Sequence, residues 1–247
     1  AINTGSVVSD EIITAENIAV ITPVSVQSTQ ISFSEISYGG VLHIVSRESV
    51  THQDIHQEVS PSLSTWGPGI VYSRMMRFIS GSQVSLPSLA LECELCETWI
   101  LENEREYLFE LRSGVHWQDI YPLDGRELNS GDILFSYGRQ SQPDWPNAQL
   151  LTAVKSVSAP SVSTVRIIVQ EPDADFLLSL ADGHSKIITE DAVDVYGDLR
   201  NGPTVGTGAW ILTETRPKVS HMFEKNIDYF VWSYGDSLDN WKYSDYE

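Results

Sequence analysis

The period of the hydrophobic positions changes twice between Tyr107 and Ser136. Tyr107, Phe109 and Leu111 alternate with Leu108, Glu110 and Arg112, the two-residue repeat of a strand. Ser113-Gly114 signals a turn, because glycine accepts positive φ without steric cost. Val115 to Asp119 then predicts the return strand of a hairpin. Beyond a loop through Pro122 and Gly125, Asn129-Ser130 stands at a helix N-cap. Asp132 follows in the first turn, where a carboxylate suits the helix dipole. Ile133, Leu134 and Tyr137 predict the buried stripe of that helix.

The flanking segments carry shorter patterns. Val41 to Ser46 predicts a first core strand, and Val71, Met75 and Phe78, after Gly67-Pro68-Gly69, have the spacing of an amphipathic helix. Thr98 to Glu102 predicts a strand, and Pro143-Asp144-Trp145-Pro146 a loop that ends the central unit. Val154 to Gln170 predicts two strands about a turn at Ala159-Pro160-Ser161, with Val165, Ile167 and Val169 facing inward. Pro172 and Asp173 open a short helix with Phe176, Leu177 and Leu180 inside, and Thr189 to Tyr196 predicts another. Gly208 to Thr213 and Val219 to Lys225 predict two more strands. Helices and strands mix without strict alternation, so the class is α/β in the loose sense, with no internal repeat. Residues 1–38 stand apart: they lack Lys and Arg and scatter Val and Ile among Ser, Thr, Asn and Gln. They predict a linker or, alternatively, an added strand that docks on a sheet edge.

Composition narrows the function classes. Hydrophobic residues make up 41% of the 247, enough for a packed core, and no apolar run nears the roughly 20 residues of a membrane span. Fifteen basic against thirty-four acidic residues give a formal charge of −19. Such a surface repels phosphate backbones and anionic head groups, which excludes nucleic acid as the expected partner. Cys93 and Cys96 are the only cysteines. A local disulfide, two free structural thiols and a redox pair all remain open, although no thioredoxin-like context or second ligand pair surrounds them. His52, Asp54 and His56 would put imidazole and carboxylate donors on one face of an extended segment, as a zinc or nickel site requires. The plainer reading makes them polar loop residues. Nucleophile elbows, phosphate-cradling loops with lysine and zincin helices are missing from the sequence.

The central stretch resembles family 5 of the extracellular solute-binding proteins, the oligopeptide, dipeptide and nickel receptors of ABC importers. The resemblance is carried by Tyr107, Phe109, Leu111-Arg112, Gly114-Val115, Trp117, Asp124-Gly125, Asp132 and Phe135-Ser136. Three more blocks agree in order. Gly39-Gly40 precedes VLHIVS, Leu89-Ala90 leads to Trp99, and Gly206-Thr207-Gly208-Ala209-Trp210 precedes Asn226-Ile227-Asp228-Tyr229.

This resemblance implies that residues 39–247 form the first lobe of a periplasmic-binding-protein-like fold (type II, cluster C-like), with a mixed sheet and an inserted subdomain at about residues 76–172. It places Glu247 near the crossover to a second lobe, which is expected to be missing from these 247 residues. It also implies an extracytoplasmic, non-enzymatic protein without cofactor. Ala1 onward shows no secretion signal, so that segment is expected to have been removed or to lie outside this chain. A peptide or small-molecule solute would sit in a cleft, with Ser64, Thr65, Trp66 and Trp145 on its first wall. The implied partners are that solute, a transporter permease, and a second-lobe polypeptide or another copy of the chain. The competing expectation is a structural or assembly subunit that uses the lobe as a scaffold.

Overall fold

The structure, a computed structural model, describes residues 39–80, 84–85 and 88–233. The chain divides into the units Ala1–His43 and Ile44–Glu247, and every named element lies in the second. The leader at residues 1–38 falls outside the described residues. Helices are α1 (Pro61–Ser64), α2 (Ser130–Gln140), α3 (Phe176–Ala181), α4 (Glu190–Tyr196) and α5 (Phe230–Ser233). Strands are β1 (Met76–Phe78), β2 (Leu91–Cys93), β3 (Cys96–Asn103), β4 (Glu106–Leu111), β5 (Val154–Ser161), β6 (Thr164–Val169), β7 (Trp210–Arg216) and β8 (Ser220–Lys225). None of the described helices is long and apolar enough to cross a membrane.

Four strands form one antiparallel sheet in the order β3-β4-β6-β5. Tyr107 pairs with Ile167 and Phe109 with Val165, so the two-residue repeat of each strand delivers its large side chains to one face. Ile133 and Tyr137 of α2 and Phe176 and Leu180 of α3 complete that core. Tyr107 and Phe176 meet with ring centroids 4.9 Å apart. The start of α2 follows its sequence closely. Asn129 Oδ1 accepts from the Gly131 amide, and Asp132 Oδ2 accepts from the Asn129 amide, which closes a capping box. Arg126 then clamps Asp132 through two nitrogens, reaches Asp191 and Thr189 at the start of α4, and lies over the Trp117 ring.

Four expectations change. Val115 to Asp119 makes no return strand, because both edges of β4 are taken, by β3 and β6. The segment instead buries Val115 and Trp117, with a single bridge from His116 to Glu127. Val71 to Phe78 is not a helix: a 3-10 turn at Pro68–Val71 leads into extended chain, and β1 pairs with β2. Tyr72, Ser73, Met75 and Met76 are all buried, and a segment enclosed on both sides satisfies helical spacing by coincidence. Residues 41–46 form no strand, and Val45 is 94% exposed. The β5–β6 turn falls at Val162-Ser163, while Pro160 lies within β5, an edge strand where its missing N–H is tolerated.

A smaller core of Ile55, Leu63, Val71, Tyr72, Ile188, Ala192 and Leu199 holds α1 and α4 together. The Gly206-Thr207-Gly208 segment passes tightly over it. A Cβ on Gly206 would lie 2.1 Å from the Val71 carbonyl oxygen, which itself accepts from the Gly208 amide. Beyond it β7 and β8 form a separate antiparallel ribbon. Cys93 and Cys96 are joined in a disulfide between β2 and β3.

Candidate functional site

The turn at residues 52–58 is built around one carboxylate. Asp54 is fully buried, and its two oxygens accept from the Arg139 guanidinium near the end of α2, from the His56 amide and from Gln57 Nε2. His56 Nε2 donates to the Lys186 carbonyl at 2.9 Å, which leaves Nδ1 to accept from Arg139 at 3.3 Å. Burial alone would raise the Asp54 carboxyl, but the hydrogen bonds and charge of Arg139 outweigh it and hold the group below its usual value. Burial pushes the His56 imidazole down from 6.5 to about 4, so the ring is neutral.

In this network the weak metal candidates His52, Asp54 and His56 stand as turn residues engaged by protein partners. The segment is a turn rather than an extended strand, and His52 Nδ1 accepts from the Asp54 amide. Both Asp54 oxygens and both His56 nitrogens already have protein partners. Among the described residues, no group of three or more His, Cys, Asp or Glu is placed to hold a metal ion.

Arg139 also joins this turn to the loop after α2. Its guanidinium lies 4.5 Å from the centroid of the Trp145 ring, a cation–π contact. Asn147 Nδ2 donates to the carbonyls of Ile55 and Glu58 at 2.8 and 2.9 Å. Gln140 Nε2 donates to the Asn147 carbonyl and to Ser185 Oγ, which brings in a third loop at residues 182–185. There Asp182 Oδ1 accepts from the His184 amide and from Nδ1 of its ring, both at 2.8 Å. Arg74 holds the preceding Ala181 carbonyl. The hydrogen bond from His184 is the largest influence on the Asp182 carboxyl and keeps it below its usual value. Gly183 faces Ser64, with an ideal Cβ 4.0 Å from Ser64 Oγ.

The four expected wall residues do not stand alike. Ser64 is buried and its Oγ donates to the Ser60 carbonyl, so it packs α1. Thr65 is exposed, and Trp66 is exposed at 57%. Trp145 is half-buried over Arg139. Reasoning from the sequence missed Arg139, Asn147 and the Asp182–His184 pair, whose partners are remote in the chain or sit in a turn without a motif. A groove of about 570 Å³ between α2 and β5, lined by Leu134, Tyr137, Leu151, Val154 and Val157, contains none of these residues.

Solved structures define the class first. Over 74% of the chain the fold matches the periplasmic binding protein DppA from Helicobacter pylori, in complex with peptide STSA, with 23% identity and a TM-score of 0.63; this covers 38% of that chain. The PBP/SBP MoaA in complex with mannopinic acid, from A. tumefacien R10, matches over 74% with 26% identity and a TM-score of 0.64, covering 36% of its chain. The fold is therefore that of a periplasmic-binding-protein lobe. Residues 87–244 match Bacterial extracellular solute-binding proteins, family 5 Middle, and the chain belongs to that family. Di/tripeptide-binding protein 2 of Pseudomonas aeruginosa (strain UCBPP-PA14) is 26% identical over 190 residues, 69% of this chain and 34% of the relative. The chain spans about a third of the length of these proteins.

Proposed function

We propose that this chain supplies one wall of the solute-binding cleft of an extracytoplasmic receptor that hands a peptide-like solute to the permease of an ABC importer. It binds and does not catalyse. The observation that carries the reading is that Arg139 and Asn147 tie the loop bearing Trp145, one of the expected wall residues, to the buried turn at residues 52–58. Membership of the family supports solute binding. The names of a di/tripeptide-binding relative and of a peptide-bound structure favour a peptide-like solute.

One wall leaves a bound solute about half exposed and forgoes much of the burial that a two-walled cleft provides. Titrating the chain with trialanine should shift the Trp66 indole N–H resonance, with a dissociation constant no tighter than ~1 mM, about −4 kcal/mol. Micromolar affinity would overturn the single-wall reading. An unmoved Trp66 at saturating peptide would overturn the assignment of the wall.

A further inference from the structure

The groove between α2 and β5 takes no part in the cleft wall. The end of α2 lends it Leu134, Tyr137, Gly138 and Ser141, spaced to share one stripe. Gly138 keeps it open, since nothing lies within 4 Å of where its Cβ would stand. Val154 and Val157 line the other side. Three residues apart, they would face opposite ways in a regular strand, but the β5 pairing is irregular between Val154 and Ser156, which brings both to the groove. Leu134, Val154 and Val157 are only half-buried there. The volume of about 570 Å³ falls within the roughly 300–1,000 Å³ of small-molecule sites.

The polar part of the lining is selective too. In a chain of formal charge −19 no carboxylate lines the groove. Its single charged residue is Lys155, exposed and without an ion-pair partner among the described residues. The Ser141 and Thr152 hydroxyls already donate to the Tyr137 and Gln149 carbonyls, and the Tyr137 hydroxyl is enclosed. That leaves the Lys155 ammonium as the side-chain donor open to a ligand. We infer that this groove binds an amphipathic carboxylate, an unbranched fatty acid of medium length. Its alkyl chain lies along Leu134, Leu151, Val154 and Val157, and its carboxylate meets Lys155 Nζ. A peptide would bring amide groups that these side chains leave largely unpaired, whereas an alkyl chain brings none. The net charge repels anions at long range, but salt screens it beyond about 10 Å, so the nearby lysine decides.

The test is methyl NMR of the whole chain with labelled leucine and valine, titrated with sodium octanoate. Leu134→Met, Val154→Ile and Val157→Ile assign the groove resonances. The expected result is a saturable shift at these methyls while the Trp66 indole stays in place. Decanoate should bind about tenfold tighter, the gain from two more buried methylenes. Lys155→Gln should weaken octanoate about threefold, as for an exposed ion pair, and octylammonium should bind more weakly than octanoate. Gly138→Leu fills the groove and should abolish the shifts in a chain that still melts cooperatively; if that variant does not fold, Lys155→Gln and octylammonium still decide. Absent methyl shifts overturn the inference, as does octylammonium matching octanoate, unchanged affinity in Lys155→Gln, or binding by folded Gly138→Leu. A shift at Trp66 alone also overturns it and leaves the cleft wall standing.

Discussion

Arg139 is the residue on which the site depends most. It neutralises a fully buried Asp54, hydrogen-bonds His56 and supports the Trp145 ring. Arg139→Ala would strand a charged carboxylate in the interior, a change that costs about 3–5 kcal/mol for a buried pair. Urea denaturation should show that loss, and Asp54→Asn combined with Arg139→Ala should recover part of it. The same network gives an acid sensitivity. The unfolded chain protonates histidine near 6.5, whereas His56 in the fold resists until about 4. Between those values the unfolded state binds more protons, so stability falls as pH drops through the window, by up to about 3 kcal/mol. His56→Gln, which keeps an acceptor and a donor, should flatten that slope when urea midpoints are compared across the window. Residues bound to near neighbours were legible in the sequence: Asn129 and Asp132 cap α2 within one turn of each other. Asp54 and Arg139 were not, since 85 positions separate them and no local pattern links a turn aspartate to a helical arginine.

Elements were legible where one face is buried and the neighbours are local. The alternation in β4 and β6 and the stripes of α2 and α3 come from half-exposed elements, where period reports burial directly. The Val71–Phe78 segment failed that test because it is enclosed on both sides, and Val115–Asp119 failed because pairing partners are chosen by the whole sheet. Glycine positions separate the same two cases. Gly206→Ala would drive a methyl group into the Val71 carbonyl and should cost about 1–3 kcal/mol. Gly138→Ala lies on the exposed side of α2 with nothing within 4 Å, and should stabilise the fold by about 0.5–1 kcal/mol. Thermal melts of the two variants should move in opposite directions.

For the whole molecule, the competing expectation of an assembly scaffold turns on the edge strand β3. Trp99, Ile100 and Leu101 are exposed there, which invites pairing between chains. The strand is guarded, however: its pairing with β4 is irregular at both ends, and Glu97 and Glu102 flank the apolar residues. Two chains of formal charge −19 also repel one another at moderate ionic strength. Light scattering after size exclusion should therefore return the mass of a single chain; a stable dimer that dissociates on Ile100→Lys would revive the scaffold reading. The family resemblance was legible at this scale because its blocks keep their order along the chain, while the joining of the turn at residues 52–58 to the loop after α2 emerged only from contacts between them.

The indole of Trp145 resting on the Arg139 guanidinium links an optical signal to a charge that no dye could reach. Its emission will change whenever the guanidinium leaves Asp54, so fluorescence of a variant that keeps Trp145 as its sole tryptophan would time the breaking of that contact. The molecule thus carries an intrinsic gauge of whether that buried ion pair is intact.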